Sequence, residues 1–126
     1  MNKQKRPTRE QERADDAWKK ARQGVDLHGK DYVNDAKGLP ALIMNSGLMQ
    51  VMAYMEGKND RRYQTLAAHL REWLNRALGT PTDFEPFMQH LLNAEPPEFQ
   101  AITAEAYAWL RWLRQMAPAV AREGAE

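Results

Sequence analysis

An all-α, compact single-domain bundle of five to seven helices is the fold this sequence predicts, on three observations. The chain has 18 Ala, 12 Leu and 7 Met against only 4 Val and 2 Ile. The first three residue types lose little side-chain freedom in a helix, and the β-branched types that suit strands are scarce. Apolar residues recur at spacings of three and four, and no run of five or more alternates apolar and polar residues with Val, Ile or Thr, as a half-buried strand would. Finally, 126 residues is the length of one domain and enough for a single core.

Residues 1–7 are polar, basic and end in Pro7, and are expected to be a disordered N-terminus. Thr8-Arg9-Glu10-Gln11 reads as a capping box, Thr8 capping and Gln11 reaching back. In the helix that follows, Ala14, Trp18, Ala21 and Val25 make a narrow apolar stripe, with Arg9, Arg13 and Lys20 on another face. Gly24 and Gly29 bracket a weak zone. Gly38-Leu39-Pro40 reads as a boundary or a helix start, because Pro is well suited to the first helical position. Leu39, Leu42, Ile43, Leu48, Val51, Met52 and Met55 then form a dense apolar pattern, interrupted at Asn45-Ser46-Gly47 and ended by Gly57-Lys58-Asn59-Asp60.

Residues 60–78 give the clearest amphipathic helix. Tyr63, Leu66, Leu70, Trp73, Leu74 and Ala77 share one face, and Arg61, Gln64, Arg71 and Asn75 the other. A turn at Gly79-Thr80-Pro81-Thr82 leads to Asp83, which is placed to cap a short helix bearing Phe84, Phe87, Met88, Leu91 and Leu92. Pro96-Pro97 opens the last helix, with Ile102, Ala106, Trp109, Leu113 and Met116 along one side and Tyr107, Arg111 and Arg114 opposite. Pro118 is expected to end it. The helical bundle domain is thus set at 8–117, with 118–126 a frayed tail.

Charge is unevenly spread. The net charge is +1, but residues 1–30 carry +4, residues 58–79 carry +3 and residues 80–105 carry −5. One end suits phosphate and another a basic surface, although solvated helix faces would give the same pattern. The absence of cysteine excludes disulfides, thiolate catalysis and cysteine-based zinc sites. The basic start is not followed by an apolar core of a signal peptide, and no stretch approaches the roughly 20 apolar residues of a membrane span. A cytoplasmic protein without membrane contact is the expectation.

Catalytic constellations are hard to find. His28, His69 and His90 match no metal-ligand spacing, there is no phosphate-binding glycine loop, and the acids of 80–105 are scattered. No metal and no cofactor are expected. Two pairs, Arg22 with His28 and Arg62 with His69, fit the Arg-to-His spacing of the helical HEPN ribonucleases, but about 0.8 such pairs are expected by chance in a chain of this composition. Trp18, Trp73 and Trp109 lie centrally on apolar stripes and are expected in the core. Trp112 lies about 80° off its stripe and is either peripheral core or an interface anchor. Met44, Met49, Met52 and Met55 suit gap-filling in a core better than a binding groove.

Two segments resemble the small helical subunit family of the type III-B (Cmr) CRISPR effector complex. In Gly38 to Lys58 the resemblance rests on Leu39-Pro40, Leu42-Ile43, Asn45-Ser46-Gly47-Leu48, Val51 to Met55, and Lys58. In Phe99 to Ala117 it rests on Thr103, Glu105-Ala106, Trp112-Leu113-Arg114 and Ala117, and Trp73-Leu74 resembles a third position between them. Met44 and Met49 depart from the family's polar or basic and small residues at those places.

The resemblance implies a non-catalytic subunit that stacks with copies of itself into a minor filament and helps line the target-RNA channel. Its partners would be the other subunits, the guide RNA and the target RNA. Under that reading, Lys19, Lys20, Arg22, Lys58, Arg61 and Arg71 are the phosphate-facing candidates. Trp112, Asp83 and Glu85 are the candidates for a subunit interface. The alternatives are a stand-alone HEPN-like helical ribonuclease and a helical adaptor that binds only protein.

Overall fold

The computed structural model describes residues 6–124. Six helices and no strand occur among the described residues: α1 Arg9–His28, α2 Lys30–Ser46, α3 Leu48–Gly57, α4 Arg61–Leu78, α5 Phe84–Asn93 and α6 Pro96–Gly124. The expected disorder of 1–7 falls mostly on residues outside this range; Arg6 and Pro7 are exposed and non-helical.

The capping box opens α1 as expected. Gln11 N–H donates to Thr8 Oγ1 at 3.1 Å, and Thr8 N–H donates to Gln11 Oε1 at 2.8 Å. Gly29 and Gly47, at φ 57° and 85°, turn the chain between α1, α2 and α3, a left-handed backbone that a side chain would resist. The interruption at Asn45-Ser46-Gly47 is therefore a true break, whereas Gly24 lies inside α1. There the Tyr32 ring occupies the space a Cβ would need. Glycine is what lets α1 and α2 approach.

The two expected proline boundaries are corrected. Pro40 lies inside α2 and is buried, and Pro118 lies inside α6, which runs on to Gly124. A mid-helix proline loses one backbone bond and crowds the preceding turn. Here tertiary packing offsets that cost: Leu39 and Ile43 flank Pro40 in the core, and Ala117, Val120 and Ala121 pack on both sides of Pro118. The bundle therefore extends past residue 117.

The core gathers one face of each helix: Leu48, Met52 and Met55 of α3, Leu66, Leu70, Trp73 and Leu74 of α4, Phe87 and Leu91 of α5, and Ile102, Trp109, Leu110 and Leu113 of α6, with Tyr32 and Ile43 of α2. Each such side chain contributes about 1.5–3 kcal/mol of burial. α1 differs. Its inward face is Asp16, Ala17, Ala21 and Gly24, small and polar, while Trp18 is 46% exposed. The expected stripe through Trp18 is thus rotated by one position. Met44, also expected inside, is exposed.

The reason lies in what α1 packs against. It runs antiparallel to α4, from Arg9 beside Ala77 to His28 beside Thr65, and parallel to α6. Both neighbours bring a buried indole to it, and an indole N–H is a donor that needs an acceptor once out of water. Trp109 Nε1 donates to Asp16 Oδ2 at 2.9 Å, and Trp73 Nε1 donates to Glu105 Oε2 at 3.1 Å. Asp16 also accepts from Lys20 at 3.2 Å and Arg76 at 3.3 Å, and Glu105 takes a two-pronged bond from Arg13 at 2.7 and 2.8 Å. Each carboxylate is buried, so these charge-assisted bonds replace water. Arg13 and Lys20, read as an outer face, and Glu105, read with the acidic surface, instead belong to this inner seam.

Candidate nucleic-acid interface

The six basic side chains singled out by charge divide in two. Four are exposed. Lys19 lies 3.1 Å from Asp15, and Arg22 lies over the open Trp18 ring at 5.2 Å. Lys58, just past α3, lies over the Tyr54 ring at 4.9 Å, and Arg61 opens α4. Each can meet a phosphate without leaving a buried carboxylate unpaired.

Lys20 and Arg71 face inward. Lys20 is 12% exposed, held by Asp16 and, at 3.7 Å, by Glu72. Arg71 is only 8% exposed. Its Nε donates to Thr82 carbonyl at 2.7 Å and its Nη1 contacts Met52 Sδ at 3.3 Å, with Glu56 4.0 Å away. Burial lowers its pKa, opposed by Glu56 and Asp83. The expectation that Arg71 points to solvent is corrected: the guanidinium ties α4 to α3 and to the turn before α5, and Phe84 covers it at 6.0 Å.

The interface candidates are not brought together. Asp83 is the N-cap residue of α5, without a side-chain capping bond, and Glu85 is in its first turn; both are exposed and complement the positive end of that helix. Trp112 is half-buried on α6, its Nε1 donating to Glu10 Oε2 at 3.2 Å. It lines a groove with Tyr107, Arg111 and Arg114, a grouping that helical spacing could have shown but charge counting did not.

The Arg–His pairs are engaged in structure. His69 is 5% exposed, its Nδ1 2.8 Å from Tyr32 Oη. Burial, with Lys20 and His28 adding to it, pushes its pKa down to about 4, so the ring is neutral near pH 7. Arg62 is drawn to Asp35 and Asp31, its Nε 3.1 Å from Asp35 Oδ2 but misaligned for a hydrogen bond, while Nη2 reaches Oδ1 at 3.4 Å and Tyr63 Oη at 3.1 Å. Burial raises the Asp35 pKa against the pull of Arg62. His28 meets Thr65 at 2.9 Å and His90 meets Glu98 at 2.9 Å. No group of three or more His, Cys, Asp or Glu able to hold a metal occurs among the described residues, and none of their helices is long and apolar enough to cross a membrane.

Fold and surface together define a single-domain, all-helical chain whose open cations sit on exposed faces and whose histidines are paired. The model of the CRISPR-associated protein family Cas_Cmr5 matches residues 9–120, which is nearly the whole bundle, and the chain belongs to that family. It is similar to the CRISPR system Cmr subunit Cmr5 of Thermus thermophilus, 26% identical over 117 residues that cover 92% of this chain and 98% of the relative. It also superposes on the crystal structure of a CRISPR-associated Cmr5 family protein from the same organism, with a TM-score of 0.77 and 25% identity, covering 91% of this chain and 98% of that one. The resemblance seen in Gly38–Lys58 and Phe99–Ala117 is borne out.

Proposed function

We propose that the chain is a subunit of a type III-B Cmr CRISPR complex that performs no chemistry itself. It stacks with copies of itself beside the guide-bound backbone and helps line the channel for target RNA. The observation that carries this reading is the family match across residues 9–120. It is supported by the paired state of His69 and Arg62 and by the exposed cations Lys19, Arg22, Lys58 and Arg61. Asp83 and Glu85 would meet a basic surface of a neighbouring subunit. Base pairing between guide and target supplies sequence recognition in such complexes, so this chain needs only shape and charge.

The test is target-RNA affinity of the assembled complex across a salt series, with Lys58 and Arg61 both changed to alanine. Two lost phosphate contacts reduce the log–log salt slope by about 1.4, at about 0.7 for each contact to a single strand, and equally for every target sequence. An unchanged slope with intact assembly would place the strand elsewhere.

A further inference from the structure

A groove of about 410 Å³ lies over α6, bounded by Glu10 at the start of α1 and Pro40 of α2. It takes no part in the reading above, which placed phosphate on other residues. Its α6 wall carries Tyr107, Arg111, Trp112 and Arg114. Arg111 and Arg114, one turn apart, are exposed, and neither has a carboxylate within 4.0 Å among the described residues. Arg9, Arg13, Lys20, Arg62 and Arg76 all do. The guanidinium fork matches phosphate oxygens and is weakly hydrated, so an open pair of this kind favours a phosphate ligand.

The two rings are placed beside these cations. Arg111 lies 6.0 Å from the Tyr107 ring centre. Trp112 is held by a relay that ends in the core: its Nε1 bonds to Glu10, Glu10 accepts from Arg13 at 2.7 Å, and Arg13 is clamped by buried Glu105. The Glu10 carboxylate is thereby occupied and offset by the Arg13 it binds. A ring fixed before binding costs a ligand less entropy. The groove's volume falls within the range of small-ligand sites, roughly 300–1,000 Å³. Flat rings beside paired guanidiniums are what a nucleobase and its phosphate require.

We propose that this groove is a nucleotide-binding site, with the base against Trp112 and Tyr107 and the phosphate on Arg111 and Arg114. The nucleotide is either free or one unit of a single strand. The site requires no assembly, so it can be tested on the isolated full chain, and its failure leaves the proposed role in the complex untouched.

The experiment follows the indole N–H resonances of the ¹⁵N-labelled chain, that of Trp112 being assigned by Trp112→Phe. The probes are adenosine monophosphate, a single-stranded RNA hexamer and a hexaglutamate peptide. Either nucleotide probe should shift the Trp112 resonance and leave that of buried Trp109 in place. Response to both assigns a free nucleotide as well as a strand; response to the hexamer alone assigns a strand. Trp112→Ala should weaken hexamer binding roughly 5- to 150-fold, the range for loss of one stacked base, and Trp112→Phe should retain most of it. Arg111→Ala with Arg114→Ala should abolish the monophosphate response and lower the hexamer's salt slope by about 1.4. Both arginines are exposed, so their replacement should leave the helical circular dichroism and melting temperature unchanged. No shift with either nucleotide, an equal response to hexaglutamate, or binding unaltered in the arginine variant would overturn the proposal.

Discussion

Replacing Asp16 with alanine tests the account of the inner seam. Asp16 is buried on α1 and accepts from the Trp109 indole at 2.9 Å, with Lys20 and Arg76 at 3.2 and 3.3 Å. Arg76 is half-exposed and can turn to water, so its loss counts for little. The orphaned indole N–H costs about 1–3 kcal/mol. Lys20, left with Glu72 at 3.7 Å, adds on the order of 1 kcal/mol, discounted because its ammonium can extend toward solvent. The total of about 2–4 kcal/mol corresponds to a fall of about 8–15 °C in Tm for a chain of this length. Asp16→Asn, which keeps an acceptor oxygen, should lose less. Urea unfolding of Asp16→Ala, Trp109→Phe and the double variant isolates the pair, with an expected coupling of about 1–2 kcal/mol. A loss below about 0.5 kcal/mol for Asp16→Ala, or strict additivity in the cycle, would refute the reasoning.

Leu70 is fully buried in α4; Leu70→Ala should cost about 2–5 kcal/mol in chemical denaturation, and a near-neutral result would contradict the helical phase. Gly24→Ala should lower Tm by several degrees, because the added methyl meets the Tyr32 ring, and Tyr32→Ala in the same chain should relieve part of the clash at its own packing cost. His69 titrates at about 4 in the fold against an ordinary 6.5, so the unfolded chain takes the proton first. Its contribution is complete above about pH 6.5 and falls by on the order of 3 kcal/mol as pH drops towards 4. His69→Gln should flatten that part of the stability profile measured by urea unfolding between pH 7 and 4.

Much of the architecture was legible because it is local. The Thr8–Gln11 box, the break at Gly47, the α4 stripe through Leu66, Leu70 and Trp73, and the start of α6 at Pro96 all follow from short-range pattern. What was hidden depends on partners far along the chain. Asp16 and Trp109 are 93 residues apart, and Glu105 and Arg13 are 92 apart; nothing beside them in sequence shows that their charges are buried. Counting charges therefore assigned Lys20 and Arg71 to a surface they do not occupy. Two signals were nonetheless present. Ala17, Ala21 and Gly24 recur at helical spacing, marking a face where helices approach closely, and that face carries Asp16 while leaving Trp18 outside. Buried indoles also require acceptors, and α1 is rich in them. The prolines at 40 and 118 misled because local propensity is weak beside the burial of Leu39, Ile43 and Ala117. The groove over α6 was missed because Tyr107, Arg111 and Arg114 were read as a solvated face rather than together with Trp112.

The central claim is that this chain works as part of a Cmr complex, and purification of a tagged copy from cells expressing the other type III-B subunits and a guide RNA tests it most directly. The account predicts that the larger subunits and the guide RNA elute with the tagged chain at fixed stoichiometry through size exclusion. Elution of the chain alone, with a complete complex assembled without it, would contradict the claim.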